Sequence, residues 1–265
     1  MWPKDETFGK ARDEAVKALS LDDSLVEAHT ALGGVKFFHE WDIPGAEKEF
    51  QKATGLRRNI PRAGYVNMII YLVLVGRFDE AIAIQKWVID SNPLYPDYAN
   101  LSFIYTYARR YDEAIAAARK CIELNIDAQF ARISLIILFG MKKSCVEAVS
   151  EISKYLADFP AASSDPSFAT SIGLASAACG NRKLAEEYLK IIKEGISKKP
   201  SEIDSVWLSY IYSPLGEKDL AISALQDGYQ KRSPMLLWLK VEPIFDPLRD
   251  DPRFQELLKK VGFEN

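Results

Sequence analysis

The sequence predicts an all-α solenoid of stacked antiparallel helix pairs, on three observations. The first is a phrase written twice: GRFDEAIA at 76–83 and RRYDEAIA at 109–116 start 33 residues apart. The second is a marker alanine that returns at Ala11, Ala46, Ala81, Ala114, Ala148, Ala185 and Ala221, with spacings of 35, 35, 33, 34, 37 and 36 residues. A period of this length is the signature of a stacked repeat. The third is the pattern after each marker, where small or apolar residues stand four and seven positions on, as at Phe50/Ala53, Ala118/Cys121 and Leu189/Ile192. Those offsets place the side chains on one face of a helix. Gln85 is the single polar intruder at these slots.

Each element follows in chain order. Residues 8–19 form a leading half unit, with Phe8, Ala11, Ala15 and Leu19 as its apolar stripe. Six full units come next. Turn signals about a dozen residues past several markers, SNP (91–93), DFP (158–160) and RSP (232–234), close one unit and open the next. The opening helix of a unit carries a bulky apolar residue followed by Gly33, Ser102, Ile136, Gly173 or Ser209. Four of these five are small, which lets two helices approach closely. Gly76, Gly180 and Gly216 supply the left-handed residue that ends such a helix before the next marker. Phe78 or Tyr111 wedges the turn, and Asp79-Glu80 and Asp112-Glu113 then place negative charge in the first turn of the second helix, where its dipole favours it. Neither face of one pair can be buried alone, so stacking builds the core.

The chain leaves the period at its end. The repeat region spans 1–240, and 241–265 forms a Pro-rich turn and a capping helix. Asp246-Pro247 and Asp251-Pro252 each read as an N-cap with proline at the first helical position. The second opens a helix over 252–261, with Phe254, Leu257, Leu258 and Val261 facing the last unit.

With these residues in view, the chain resembles the tetratricopeptide repeat family over about residues 8–230, most clearly in GRFDEAIA and RRYDEAIA. The resemblance implies a right-handed superhelix whose first helices line a concave groove. The wording of FFHEWDIPGAEKEF (37–50) and of LKVEPIFDPLRDDPRFQELLKKVGF (239–263) is similar to the C-terminal repeat regions of bacterial multidomain signalling proteins. Those regions follow a serine/threonine kinase, a nucleotide cyclase or a winged-helix DNA-binding domain.

Composition excludes several classes. Thirty-four basic and 37 acidic residues, net −3, are scattered rather than blocked, which disfavours nucleic acid or an anionic membrane as partner. Arg57-Arg58 and Lys198-Lys199 read as solvated helix ends. The longest apolar run, VNMIIYLVLV, is too short to span a bilayer, and the first residues lack a secretory signal, so a cytoplasmic protein is expected. Cys121, Cys145 and Cys179 read as small core-filling residues of a reducing compartment. His29 and His39 lack a third ligand, and no phosphate loop, nucleophile elbow or dinucleotide fingerprint is present. Neither an enzyme nor a cofactor is expected.

What remains is binding. Mapped onto the groove that the resemblance implies, the exposed face of the first helices comprises Glu27, Thr30, Phe37 and Phe38 in one unit and Phe103, Thr106 and Tyr107 in another. It continues through Phe130, Ile133 and Ile137 and ends at Val206 and Tyr210. This apolar, aromatic face points to a protein-interaction scaffold that takes a peptide or amphipathic helix. Two alternatives stand: a self-associating structural module, and a small-ligand sensor domain in which Tyr107, Phe130 and Trp207 shape a pocket. Too few residues precede the leading helix to supply its partner. The chain is therefore read as a fragment of a longer protein, with a homodimer through this half unit as the consequence in isolation.

Overall fold

A computed structural model describes residues 5–55, 62–91, 96–126, 128–199 and 203–263. The Arg57-Arg58 pair and Asn92-Pro93 of the SNP turn lie outside the described residues. The leading helix α1 (Asp5–Leu21) precedes six pairs: α2 (Val26–Val35) with α3 (Ile43–Gly55), α4 (Arg62–Val75) with α5 (Phe78–Ser91), and α6 (Tyr98–Tyr107) with α7 (Tyr111–Glu123). Then come α8 (Ala128–Met141) with α9 (Cys145–Asp158), α10 (Pro166–Ala178) with α11 (Arg182–Lys198), and α12 (Val206–Tyr212) with α13 (Lys218–Gln230). The last helix is α14 (Pro252–Val261), and there is no strand among the described residues. The expected all-α solenoid of helix pairs is the observed one. First helices of successive pairs pack together, α2 on α4, α6 on α8, α8 on α10 and α10 on α12, so they form an inner layer.

The repeat has a direct physical cause in this packing. Ala46, Ala81, Ala114, Ala148, Ala185 and Ala221 are each at most 2% exposed, whereas Ala11 of the half unit is exposed. In the pair α6–α7 the small slot and the marker meet: the buried Ser102 hydroxyl donates to the Ala114 carbonyl at 2.9 Å. A β-carbon on Gly173 would lie 2.3 Å from the tip of the Ile211 side chain, so glycine leaves room for Ile211 between α10 and α12. Gln85, the intruder, is buried and donates its amide to the Asp97 carbonyl at 2.9 Å. The turns at Gly76, Gly180 and Gly216 have φ of 88°, 75° and 80°. Arg109 and Lys143 take the same left-handed position at 58° and 57°, held by Arg110 N–H to Tyr105 and Ser144 N–H to Phe139, both 2.9 Å.

Three expectations are corrected. The stripe of α1 is covered in part: Ala15 is buried and Phe8 stacks on His39 at 4.9 Å where α1 meets α2 and the turn after it, while Ala11 stays exposed. The open side of α1 instead exposes Val16 and Leu21. Cys145 and Cys179 are not independent core fillers but form a disulfide. Their separation of 34 residues is one repeat, which sets the start of α9 beside the end of α10. This pairing removes the argument from odd cysteines for a reducing compartment; Cys121 is a buried thiol outside the disulfide. Asp246 is no N-cap, because Pro247 sits inside a 3₁₀ turn and Asp246 instead accepts from Arg109 and Arg249. Asp251 does cap α14, accepting from Arg253 N–H at 2.9 Å.

The tail also does more than cover the last pair. Phe254, Leu257, Leu258 and Val261 of α14 are buried as expected. Residues 234–248, two 3₁₀ turns (Pro234–Trp238 and Pro243–Leu248), run back across the inner layer. The two ends of the repeat array meet there. A π-helical turn, Lys36–Glu40, ends at Trp41 in the left-handed region, and the Arg232 guanidinium lies 5.1 Å over the Trp41 ring.

Candidate functional site

The inner layer and the returning tail enclose a cavity of about 390 Å³. This lies within the ~300–1,000 Å³ typical of ligand pockets. Helix α6 contributes Phe103, Thr106 and Tyr107; α8 contributes Phe130, Ser134 and Ile137. Thr170 and Leu174 of α10, Trp207 and Tyr210 of α12, and Met235 and Glu242 of the tail complete most of the wall. Six residues singled out from the sequence, Phe103, Thr106, Tyr107, Phe130, Ile137 and Tyr210, therefore converge here, together with Trp207.

The other six do not. Thr30 is buried and spends its hydroxyl on the Glu27 carbonyl at 2.9 Å. Phe37 is fully enclosed, edge-on to Tyr71, and Val206 lies under Gly228, where a β-carbon would come within 2.3 Å of it. Ile133 is likewise buried. The reason is the packing of adjacent helices, which buries flanks that a single helix would leave free: Phe37 meets Tyr71 of the next first helix, and Val206 meets α13 of its own pair. Glu27, exposed, and Phe38, half-buried, stay at the first pair, away from the cavity.

The tail occupies part of the inner face. Trp238 packs against Phe103 at 5.4 Å and Tyr107 at 4.9 Å, and Phe245 packs edge-on to Tyr210 at 5.3 Å. Arg109 clamps the segment from α6, reaching both oxygens of Asp246 at 2.6 and 2.8 Å. Arg249 donates to the Glu242 carbonyl at 3.2 Å, and the buried Ser213 hydroxyl donates to the Ile244 carbonyl.

Glu242 is the residue that the sequence did not single out. It is 2% exposed, and one carboxyl oxygen accepts from the Tyr107 hydroxyl at 3.3 Å. The other oxygen is sealed from solvent and makes no hydrogen bond of good geometry among the described residues, although the Tyr210 hydroxyl and the Ile244 N–H face the carboxyl. Burial pushes the Glu242 carboxyl up to about 7, against the pull of the Tyr107 and Tyr210 hydroxyls, the Ile244 N–H and Arg109. Burial and the Glu242 charge together raise both tyrosine phenols well above their usual range. A signal was present: Glu242 is the one acid in the otherwise largely apolar stretch MLLWLKVEPIF, where a solvated acid has no place.

No three His, Cys, Asp or Glu side chains among the described residues group as metal ligands do. His29 is buried and satisfied, with Glu49 at 2.8 Å and the Asp23 carbonyl at 2.9 Å on its two ring nitrogens. No helix among the described residues is long and apolar enough to cross a membrane.

The tetratricopeptide repeat family profile matches residues 98–125. That stretch is the pair α6–α7, which carries RRYDEAIA and three residues of the cavity wall. No curated protein matches the chain. Among solved structures, the crystal structure of yeast Tom70 aligns over 97% of this chain and 55% of its own, with 17% identity and a TM-score of 0.46. The chain spans about half the length of that protein.

Proposed function

We propose that this chain is a protein-interaction scaffold whose inner face docks an apolar peptide or amphipathic helix. The observation that carries this reading is that the inner face already holds such a segment. Residues 234–248 seat Trp238 between Phe103 and Tyr107 and Phe245 on Tyr210. A partner would extend this mode over the uncovered stretch, where Phe130 stays 58% exposed one turn before Ser134. A large apolar side chain left in water beside a concave wall is the usual anchor of such contacts.

Selection of displayed peptides on the whole chain tests this. Enriched peptides should carry apolar residues at helical spacing. Phe130→Asp with Ser134→Asp should weaken them more than tenfold, about 1.4 kcal/mol, with circular dichroism unchanged. Peptides that bind parent and variant alike would remove this face from consideration.

A further inference from the structure

The chemistry of the cavity wall is weighted toward acceptors, and independently of any docked peptide it favours a ligand class. The Thr106 hydroxyl donates to the Ser102 carbonyl at 2.8 Å, Ser134 to Phe130 at 3.1 Å, and Thr170 to Pro166 at 3.1 Å. Each proton is thus spent on its own helix, so these oxygens offer only lone pairs to the cavity. Tyr107 spends its proton on Glu242, and the Tyr210 hydroxyl is directed to the same carboxyl. No lysine, arginine or histidine among the described residues lines the space. An anion would find no charged donor among these residues; the neutral donors on the wall are the Trp207 indole N–H and the Ser171 hydroxyl.

We propose that this cavity binds an organic ammonium ion with an apolar body, its N–H groups directed to Glu242 and the lone pairs of the wall hydroxyls and its body against the aromatic wall. Three features fit this ligand together. An ammonium carries three donors and no acceptor, which suits the lone pairs of Thr106, Ser134 and Thr170. Phe103, Tyr107, Trp207 and Tyr210 line the space, and aromatic rings attract a desolvated cation. Glu242 has a carboxyl oxygen without a well-formed hydrogen bond among the described residues, which a charged donor would satisfy once it displaces the side chains that seal it.

The site is also coupled to pH. The titratable and charged groups facing Glu242 are Tyr107 and Arg109 from α6 and the turn after it, Tyr111 from α7, and Tyr210 from α12. Arg109 is itself engaged by Asp246. With the Glu242 carboxyl pushed up to about 7, it is only part-ionised near neutrality. An ammonium ion, which stays charged to about pH 10, stabilises the ionised form and so expels a proton on binding.

Calorimetric titration of the whole chain with 4-phenylbutylamine and with the uncharged 4-phenylbutan-1-ol tests the proposal. The amine should bind at least tenfold more tightly than the alcohol and tighten as pH rises through about 7. It should release up to about half a proton near neutral pH, read from heats in buffers of different ionisation enthalpy. Glu242→Gln should abolish the preference for the amine; the proton release, measured on the parent, decides the matter if that variant fails to fold. Equal binding of amine and alcohol, no binding of either at millimolar concentration, or amine binding without proton release would overturn the assignment. Peptide docking that survives any of these results leaves the scaffold reading intact.

Discussion

The pair α6–α7 and the segment at 234–248 touch through Phe103, Tyr107 and Trp238, yet different physics holds each together. In the pair, small residues do the work: Ala114 and Ala118 are buried, and Ser102 binds the backbone of the opposite helix. The helices approach until dispersion contacts between backbones accumulate, and every backbone donor in the helix interiors is satisfied locally. The segment is built the other way. Leu236, Leu237, Leu239, Phe245 and Leu248 are all fully buried, while its backbone closes only short turns such as Leu239 N–H to Leu236 and Phe245 N–H to Glu242. A short 3₁₀ turn has little stability of its own. The segment owes its shape to side chains reaching other helices, from Tyr210 of α12 back to Phe103 and Tyr107 of α6. A repeat unit carries its structure within itself and its two neighbours; the segment takes its structure from the surface it covers.

That contrast can be broken most forcefully at Phe245, which is fully buried between Tyr210 and Phe254. Phe245→Ala should cost about 4 kcal/mol in urea unfolding, and the transition should remain single. A separate early transition confined to the tail would show that the segment is a satellite rather than part of one core.

Glu242 sharpens the contrast through pH. Its carboxyl is raised from 4.5 to about 7 in the folded chain. The group therefore favours folding fully below about 4.5, and that contribution is lost as pH rises through about 7. Relative to Glu242→Gln, the parent should lose on the order of 3 kcal/mol between mildly acidic and mildly alkaline pH. A difference that stays flat across this range would mean that the carboxyl is solvated.

The smallest effect belongs to the repeats. A β-carbon on Gly140 would lie 2.6 Å from the Ala175 backbone. Gly140→Ala gains about 1 kcal/mol of helix propensity and loses about 2 kcal/mol to overpacking, so thermal unfolding should show a net loss of about 1 kcal/mol. A more stable variant would mean that α8 and α10 are not in close contact.

The same contrast governs what the sequence disclosed. Ala46 through Ala221 were legible because one packing slot recurs at every period, and Gly76, Gly180 and Gly216 because a left-handed turn demands that residue. The cavity was legible in half its wall, since Phe103, Tyr107, Phe130 and Tyr210 stand on first helices whose inward face follows from the period. Glu242 was not, because its contact with Tyr107 spans 135 positions and nothing periodic announces it. Thr30, Phe37, Ile133 and Val206 misled because a helix wheel describes one helix, while their burial depends on the helix beside it. The Cys145–Cys179 bond left one usable sign: the separation equals one repeat, and the two residues open an outer helix and follow the end of the next inner one.

The meeting of Arg232 with Trp41 changes the mechanics of the whole molecule. An open helical-repeat array is a spring, able to lengthen or shorten its pitch by small rotations spread over every joint. Joined near its ends, the array becomes a hoop, and a rotation at one joint must be matched by opposing rotations elsewhere. Tyr229 on Trp41 and Ile43 beside Gly262 widen that seam beyond a single contact. A guest entering the cavity at α8 and α10 would thus be felt across the molecule at the clasp of Trp41, Tyr229 and Arg232, as tension rather than as extension.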